Sequence, residues 1–160
     1  MSAWEFESTG PADTQAVAAA LGRLLLGGEV IALDGALGAG KTQFAKGLAH
    51  GLDVPPDEPV VSPTFVLVRE YRGRLTLYHV DAYRLAGADD LAAIGWDDLR
   101  SDGAGVVAVE WAERVAGLLP ANAIRVEIEH VDGTRRRIRI ATPDEALAAA
   151  FRAALAETPR

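Results

Sequence analysis

Apolar residues recur along this chain at two spacings, one typical of helices and one typical of strands. Between residues 13 and 26 the spacing is helical, which predicts a first helix that ends before the pair Gly27-Gly28. The run Val30–Leu33 is entirely apolar and predicts a short strand that is buried on both faces. A second helix is expected from Lys41 to about His50.

Two strand-like runs follow, Thr64–Tyr71 and Arg74–Asp81, with Arg72-Gly73 between them. A two-residue turn at this dipeptide predicts an antiparallel hairpin in which Thr64 lies opposite Asp81. A register that differs by one residue would still leave these two side chains as neighbours.

The middle of the chain predicts a short helix at residues 88–94 and, after a turn at Asp102-Gly103, a second buried strand. This strand, Val106–Val109, is apolar throughout and leads into Glu110. Because strands alternate with helices at first and give way to hairpins later, the sequence favours a mixed α/β sheet with helices on both of its faces.

The last two strands, Ile124–His130 and Arg135–Ile140, are expected to form a hairpin. A three-residue or bulged loop at residues 132–134 gives the better register, because it sets Glu129 opposite Arg137 and isoleucine opposite isoleucine. An alanine-rich helix follows this hairpin. The predicted fold class is therefore α/β, with a mixed parallel and antiparallel sheet and a C-terminal β-hairpin and helix.

Composition narrows the classes of function. The length of 160 residues fits one domain, so we expect residues 1–160 to form a single unit. The chain has no cysteine, which excludes disulfides, cysteine-bound zinc, iron–sulfur clusters and thiol nucleophiles. Its formal net charge of -7 makes indiscriminate binding to nucleic acid or to an anionic membrane unexpected. We also expect no direct, specific binding to nucleic acid.

No segment predicts a leader peptide or a membrane span. The first seven residues are acidic, where a signal peptide would be basic. The longest apolar region, residues 16–33, is broken by Arg23, Gly27-Gly28 and Glu29, so it does not predict a single helix across a bilayer. We therefore expect a cytoplasmic protein with no membrane partner.

A glycine-rich motif lies between the first predicted strand and the second predicted helix. Residues 35–42 read Gly-Ala-Leu-Gly-Ala-Gly-Lys-Thr and fit the pattern G-x-x-x-x-G-K-[ST] of phosphate-binding loops. Glycines let successive backbone N–H groups turn toward one anion, and the following helix adds its positive N-terminal end. Lys41 is then expected to reach the β- and γ-phosphates, and the Thr42 hydroxyl to bind Mg²⁺. The predicted nucleotide-binding positions are Gly35, Leu37, Gly38, Ala39, Gly40, Lys41, Thr42 and Gln43.

A magnesium nucleotide site also needs a carboxylate at the C-terminal end of a neighbouring strand. Glu110 follows four apolar residues, as the acidic residue of a Walker B strand does, and Asp81 ends a strand of the predicted hairpin. The sequence leaves open which of the two is the main magnesium ligand. We assign Thr42 and Glu110 as the metal ligands.

The segment Ser62-Pro63-Thr64 follows the predicted helix of the glycine-rich motif. Switch segments at this place often contact the γ-phosphate or its metal. Because the expected hairpin sets Thr64 beside Asp81, these two side chains are predicted to orient the attacking water. The predicted catalytic residues are Lys41, Thr64, Asp81 and Glu110.

Three other features carry weaker signals. His79 is expected to be a hydrogen-bonded structural histidine rather than a catalytic one. The run Arg135–Arg137 is expected to be a solvated strand paired with Glu129, rather than a reader of nucleic acid. The Asn-Lys-x-Asp sequence with which GTPases read guanine is absent, which favours ATP as the nucleotide.

These motifs, in this order and at this spacing, resemble the TsaE (YjeE) family of small bacterial ATPases, which are needed to make threonylcarbamoyladenosine (t6A) next to the anticodon of certain tRNAs. The resemblance spans nearly the whole chain and rests on Gly35–Thr42, Ser62–Phe65, His79–Leu85 and Val109–Trp111. The family usually has an acidic residue after the first glycine of the loop, where this chain has Ala36.

The resemblance implies a P-loop NTPase-like fold and an ATPase that uses Mg²⁺ with ATP, weak alone and stimulated by partner proteins. It implies TsaD and TsaB as those partners; TsaD transfers the threonylcarbamoyl group, and the ATPase supports turnover of the complex. On this basis Lys41 and Thr42 hold phosphate and magnesium, and Glu110 takes the Walker B role. Asp81 would be essential for hydrolysis, and residues 62–64 would form a switch-like loop.

The residues alone leave two other functions open. A small-molecule kinase would use the same loop, but it needs an acceptor pocket and a closing, arginine-bearing lid, for which the sequence shows no obvious insertion. An ATP-gated binding module would use the nucleotide to change its affinity for a partner, with negligible hydrolysis.

Overall fold

The structure is a computed structural model that describes residues 1–36, 38–61 and 67–157. Its strands are β1 (Ser2–Ser8), β2 (Val30–Gly35), β3 (Val68–Arg72), β4 (Thr76–Asp81), β5 (Gly105–Glu110), β6 (Ile124–Asp132) and β7 (Arg135–Thr142). Its helices are α1 (Pro11–Gly22), α2 (Lys41–Gly51), α3 (Ala88–Ala93), α4 (Trp96–Ser101) and α5 (Glu145–Glu157), and a 3₁₀ segment covers Ala112–Leu118. Within these ranges no helix has the length and apolar composition that crossing a membrane requires.

The described strands form one sheet in the order β1-β7-β6-β2-β5-β4-β3. The central strand β2 is parallel to both β5 and β6, and β5 is parallel to β4. The pairs β1–β7, β6–β7 and β3–β4 are antiparallel. The predicted mixed sheet is therefore confirmed, and its parallel centre explains why Val30–Leu33 and Val106–Val109 are apolar throughout.

Helices cover both faces of this sheet. On one face α1, α2 and α5 contribute Leu21, Phe44 and Phe151 to a core cluster. On the other face α3 and α4 contribute Leu91 and Trp96 to a second cluster. Because packing holds the parallel strands from both sides, the C-terminal ends of β2, β4 and β5 emerge along one fixed edge.

Close packing between α1 and α2 sets the direction of α2. A Cβ atom built at Gly47 would lie 2.3 Å from the backbone oxygen of Gln15 in α1. One built at Gly51 would lie 2.5 Å from the backbone oxygen of Ala19. Only glycine permits these approaches, and they fix where the N-terminal end of α2 lies.

The register of the β3–β4 hairpin differs from the predicted one. Val68 pairs with Val80, whereas a two-residue turn would have set it opposite Leu77. At the end of β4, the N–H of Asp81 donates to the carbonyl of Leu67 at 2.9 Å. The predicted hairpin register is therefore wrong.

The connection between β3 and β4 is longer because contacts from outside the hairpin fix it. It spans residues 73–75, not Arg72-Gly73, and the N–H of Arg74 donates to the carbonyl of Leu52 at 2.6 Å. Leu75 is buried, which holds the loop against the core. The pairing of Thr64 with Asp81 was expected from the shorter turn and loses that basis; Thr64 itself lies outside the described residues.

The first helix ends at Gly22, earlier than the predicted boundary at residue 26. The guanidinium of Arg74 donates to the carbonyl of Gly22 at 3.0 Å, to that of Arg23 at 3.4 Å and to that of Leu25 at 2.9 Å. Together with the N–H of Leu25, which donates to the carbonyl of Gly22 at 3.3 Å, these bonds give partners to carbonyl groups at and just after the end of the helix.

Three described segments lie outside the predicted set, namely β1, α4 and the 3₁₀ segment. β1 pairs with β7 at the sheet edge, with Trp4 and Phe6 against the core and with Glu5 and Glu7 exposed. The predicted C-terminal hairpin, by contrast, is confirmed: Glu129 pairs with its expected partner on β7, and the register shifts at residues 130–132.

Candidate functional site

The candidate site lies at the edge where β2, β4 and β5 end. The glycine-rich loop (residues 35–42) leaves β2 at this edge and enters α2. Gly38 and Gly40 have left-handed φ values of 79° and 114°, which glycine adopts without strain. A Cβ atom at Gly35 would lie 2.6 Å from the backbone oxygen of Ile128. The loop therefore requires glycine at all three of these positions.

The loop leads directly into the N-terminal end of α2. The first N–H groups of a helix have no partner within the helix and carry a partial positive charge. A Cβ atom built at Gly38 would meet no atom of the described residues within 4 Å, so open space adjoins the loop. An anion such as a phosphate group is the ligand that this combination favours. Leu37, in the same loop, lies outside the described residues.

Lys41 begins α2 and is only 5% exposed. Its ammonium donates to the carbonyl oxygens of Gly35 and Ala36, the second at 3.5 Å, and lies 3.6 Å from the centre of the Trp111 ring. Burial lowers the pKa of Lys41, and nearby negative charges oppose that shift. These charges belong to Glu110, Asp81, Glu113 and Asp34. The ammonium thus lies between the loop and a group of carboxylates.

Asp81 and Glu110 end β4 and β5 side by side. They are register partners in this parallel pair, and each is 4% exposed. Oδ1 of Asp81 accepts the N–H of Tyr83 at 2.9 Å. Oε2 of Glu110 lies 2.5 Å from Nε2 of His79. The two carboxylates predicted from the sequence therefore converge at the edge where the lysine lies.

Trp111 directly follows Glu110 and has an uncommon backbone conformation. Its φ of 58° is left-handed, which is strained for a bulky residue. Its N–H donates to the carbonyl of Leu33 at 3.1 Å, and its ring packs on Tyr83 with the ring centres 5.0 Å apart. These contacts keep the indole against the Lys41 ammonium. Backbone strain of this kind is concentrated at functional sites.

The donor atoms around the loop suit a hard cation. Thr42 lies in the first turn of α2 and has a hydroxyl group, while Asp81 and Glu110 have carboxylate oxygens. Mg²⁺ prefers oxygen ligands and keeps waters and substrate phosphates, so one or two protein side chains are enough. In the part of the chain that the structure describes, no group of three or more His, Cys, Asp or Glu could hold a metal alone. The residues fit a magnesium ion that is shared with a nucleotide.

Arg136 reaches the glycine-rich loop from β7. Its Nε donates to the carbonyl of Ala39 at 2.9 Å, and its Nη2 to that of Gly38 at 3.3 Å. Its Nη1 donates to the carbonyls of Gly133 and Arg135, at 3.2 Å and 3.1 Å. One guanidinium therefore ties the loop to the β6–β7 hairpin, across 97 residues of sequence.

Replacing Arg136 by alanine is expected to weaken binding of a nucleotide about 10-fold, because two charge-assisted bonds that shape the loop are lost. Isothermal titration calorimetry with ADP and Mg²⁺ measures this affinity. The control is Arg135→Ala, which removes the same charge from an exposed side chain that pairs with Glu7 and Asp132. Equal affinities in the two variants would contradict a bracing role for Arg136.

Asp34 and Glu113 meet beside the loop. Oδ1 of Asp34 accepts the N–H of Glu113 at 3.3 Å, and both residues line a cavity of about 560 Å³ together with Arg137 and Arg139. Burial raises the pKa of Asp34 to about 6, and a hydrogen bond with the Glu113 carboxyl and repulsion from its charge act in the same direction.

The raised pKa of Asp34 predicts a pH-dependent stability. The unfolded carboxyl loses its proton near its ordinary pKa of 3.8, while the folded one keeps it until about pH 6, so stability falls as the pH rises through this window. Asp34→Asn cannot ionise and is expected to raise the melting temperature above pH 7 by about 2–4 °C, with no gain at pH 4. Thermal melts across this pH range test the prediction. Glu113→Gln removes the charge that repels the Asp34 carboxylate, so the melting temperature of this variant should depend less on pH than that of wild type. A pH-independent difference between Asp34→Asn and wild type would contradict the raised pKa.

The structure gathers most of the predicted site residues at this edge. Those are Gly35, Gly38, Ala39, Gly40, Lys41, Thr42, Asp81 and Glu110. The side chain of Gln43 faces α1, where its Oε1 accepts from Nε2 of Gln15 at 2.7 Å. Leu37 and Thr64 lie outside the described residues. The contacts of Arg136 and Asp34 were not predicted, although the position of Asp34 directly before the first loop glycine was a visible signal.

Proteins of similar sequence share one description. A tRNA threonylcarbamoyladenosine biosynthesis protein TsaE from Treponema pallidum is 46% identical over 129 residues, which cover 81% of this chain and 93% of that protein. The protein of the same name from Bacillus subtilis is 37% identical over 139 residues, which cover 86% of this chain and 85% of that protein.

A solved structure and a family model agree with these relatives. The crystal structure of YdiB from Bacillus subtilis matches with a TM-score of 0.79 at 29% identity, over 97% of this chain and 95% of that chain. The model of the family described as threonylcarbamoyl adenosine biosynthesis protein TsaE matches residues 8–138. With the predicted fold and motif order both present, the chain belongs to the TsaE family of threonylcarbamoyl adenosine biosynthesis proteins.

Proposed function

We propose that this protein, acting as one domain over residues 1–160, binds and hydrolyses ATP with Mg²⁺ in support of t6A formation on tRNA. The observation that carries the proposal is the convergence of Lys41, Asp81 and Glu110 beside the glycine-rich loop. Phosphoryl transfer from ATP requires a cation, carboxylates and a helix N-terminus, brought together at the ends of parallel strands.

The loop and α2 would bind the phosphates. N–H groups of the glycine-rich loop and of the first turn of α2 would donate to the phosphates, and Lys41 would add a positive charge at the β- and γ-phosphates. To do so its ammonium exchanges the carbonyls of Gly35 and Ala36 for phosphate oxygens. Thr42 and Glu110 would hold magnesium, which neutralises the charge that develops on the phosphates.

The remaining carboxylate would act on water. Asp81 lies beside Glu110 and is equally buried. Its carboxylate would orient a water molecule for attack on the γ-phosphate. Its Oδ1 is already fixed by the N–H of Tyr83, which limits the rotation of the carboxylate. Thr64 is proposed to share this role from the loop between α2 and β3.

The proposal includes partners. The relatives from Treponema pallidum and Bacillus subtilis carry names that place them in tRNA threonylcarbamoyladenosine biosynthesis, and we propose TsaD and TsaB as the proteins that stimulate this ATPase. With a net charge of -7, the chain is proposed to leave the tRNA to those partners. We propose that the protein works in the cytoplasm, where tRNA is modified.

The deciding experiment measures steady-state hydrolysis of Mg-ATP by this protein alone and with purified TsaB and TsaD from the same source. We expect slow hydrolysis alone and stimulation by the pair. Binding of ATP without hydrolysis in either condition would instead identify an ATP-gated binding module. Consumption of ATP that depends on an added small metabolite would identify a kinase.

A further inference from the structure

His79 is a buried polar residue that the proposed mechanism does not use. It lies on β4 two residues before Asp81, and its side chain is 0% exposed. Its Nε2 lies 2.5 Å from Oε2 of Glu110. Its Nδ1 is also buried and has no hydrogen-bond partner among the residues that the structure describes.

The sheet register explains why the imidazole reaches Glu110. On β5 the residue opposite His79 is Ala108, and the residue opposite Asp81 is Glu110. Alanine has only a methyl group at this position, which leaves room for the imidazole to extend toward Glu110, the next residue of β5 on the same face of the sheet. The contact is therefore a diagonal one between neighbouring parallel strands.

The direction of the hydrogen bond follows from its chemistry. A carboxylate only accepts, so the Nε2–H of His79 donates to Oε2 of Glu110. With Nδ1 unpartnered in the described structure, this is the polar contact that orients the ring. A buried polar atom without a partner lowers stability, so a ring that served packing alone would be better replaced by an apolar side chain.

We propose that His79 is a positioning residue for the magnesium site. Its hydrogen bond occupies Oε2 and fixes the plane of the Glu110 carboxylate, so that Oε1 is the oxygen left for the metal. The inference rests on the proposed function, in which Glu110 is a magnesium ligand. Partners that orient a ligating carboxylate in this way typically contribute a factor of about 10–100 to metal affinity.

Two polar variants separate positioning from packing. In His79→Gln the side-chain amide reaches the place of Nε2 and can still donate to Glu110, whereas in His79→Asn the shorter amide reaches only the place of Nδ1. Calorimetric titration of each variant with ADP, once with Mg²⁺ and once with excess EDTA, gives two dissociation constants. The dissociation constant for ADP in EDTA, divided by the one in Mg²⁺, measures how much the metal contributes to ADP binding. This quotient is called the Mg²⁺ ratio.

The expected result is a ratio about 10-fold lower in His79→Asn than in wild type, with the dissociation constant in EDTA unchanged. His79→Gln should keep the ratio within about 3-fold of wild type, since the donor is retained. A folded His79→Asn protein with a wild-type ratio would overturn the inference, as would equal losses of affinity with and without Mg²⁺ in both variants.

A measurement on the wild-type protein covers the case in which neither variant folds. A long-range ¹H–¹⁵N spectrum of the imidazole reports which nitrogen carries the proton, and we expect Nε2. A neutral ring with its proton on Nδ1 would overturn the inference without any variant.

Glu110→Ala distinguishes failure of the inference from failure of the proposed function. If this variant keeps the wild-type Mg²⁺ ratio, Glu110 is not a metal ligand, and the proposed site fails together with the inference. If the Mg²⁺ ratio falls in Glu110→Ala but stays at the wild-type value in His79→Asn, the proposed metal site is supported and only the role of His79 is wrong.

Discussion

Lys41→Ala is expected to weaken binding of Mg-ATP by about 100-fold. Lys41 begins the helix that follows the glycine-rich loop and is 5% exposed. A charge-assisted contact to phosphate in a largely buried position is worth about 3 kcal/mol. Burial lowers the pKa of this ammonium, which means that its own hydration is already partly lost in the free protein. A bound phosphate would therefore give the Lys41 ammonium interactions that replace its lost hydration.

Calorimetry of ATP binding measures this effect, and the chain offers a close control. Lys46 is the other lysine of the sequence and lies on the same helix, so Lys46→Ala changes the net charge by the same amount. We expect Lys46→Ala to bind ATP within about 3-fold of wild type. If the affinities of the two variants match, the effect is one of overall charge, and Lys41 has no special contact with phosphate.

The part of the site that was predictable is built from residues adjacent in sequence. Gly38 and Gly40 set the loop conformation by their own backbone freedom, and the helix that follows starts at the next residue. Local patterns of this kind need no knowledge of the rest of the fold. The carboxylates Asp81 and Glu110 were also found, because parallel buried strands deliver their last residues to one edge.

The two hairpins show where such reasoning succeeds and where it fails. In the β6–β7 hairpin the correct register was marked by Glu129 facing Arg137, and the two side chains form an ion pair at 3.2 Å. In the β3–β4 hairpin the turn is fixed by Leu52 and by the carbonyls that Arg74 caps, all far away in sequence. A local pattern contains none of that information, so the predicted two-residue turn was wrong.

Other features were missed for different reasons. β1 alternates Trp4 and Phe6 with glutamates, a pattern typical of an edge strand, so its signal was present in the sequence. The contact of Arg136 with the loop carried no such signal, and the sequence predicted a hydrogen bond of His79 but not its partner Glu110. Both contacts depend on the order and register of strands, which only the folded sheet supplies.

Asp81→Asn is expected to reduce hydrolysis of ATP by a factor of about 100–1,000 while affinity for ATP stays within about 3-fold of wild type. Asparagine keeps the size of the side chain and an oxygen that can accept the N–H of Tyr83, so the local backbone is preserved. It loses the negative charge that is proposed to orient the attacking water. The expected loss therefore falls on the chemical step and spares the binding of the nucleotide.

The measurement is ATP turnover in the presence of TsaB and TsaD, with ATP affinity determined in parallel. Asp97→Asn is the control, because Asp97 is an exposed acidic residue in the first turn of α4. Glu110→Gln should behave differently from Asp81→Asn, since it removes the proposed metal ligand and is expected to lower affinity for Mg-ATP as well as turnover. If Asp81→Asn sustains t6A formation at the wild-type rate while Lys41→Ala abolishes it, hydrolysis is dispensable. The nucleotide then acts by changing the affinity of this protein for its partners.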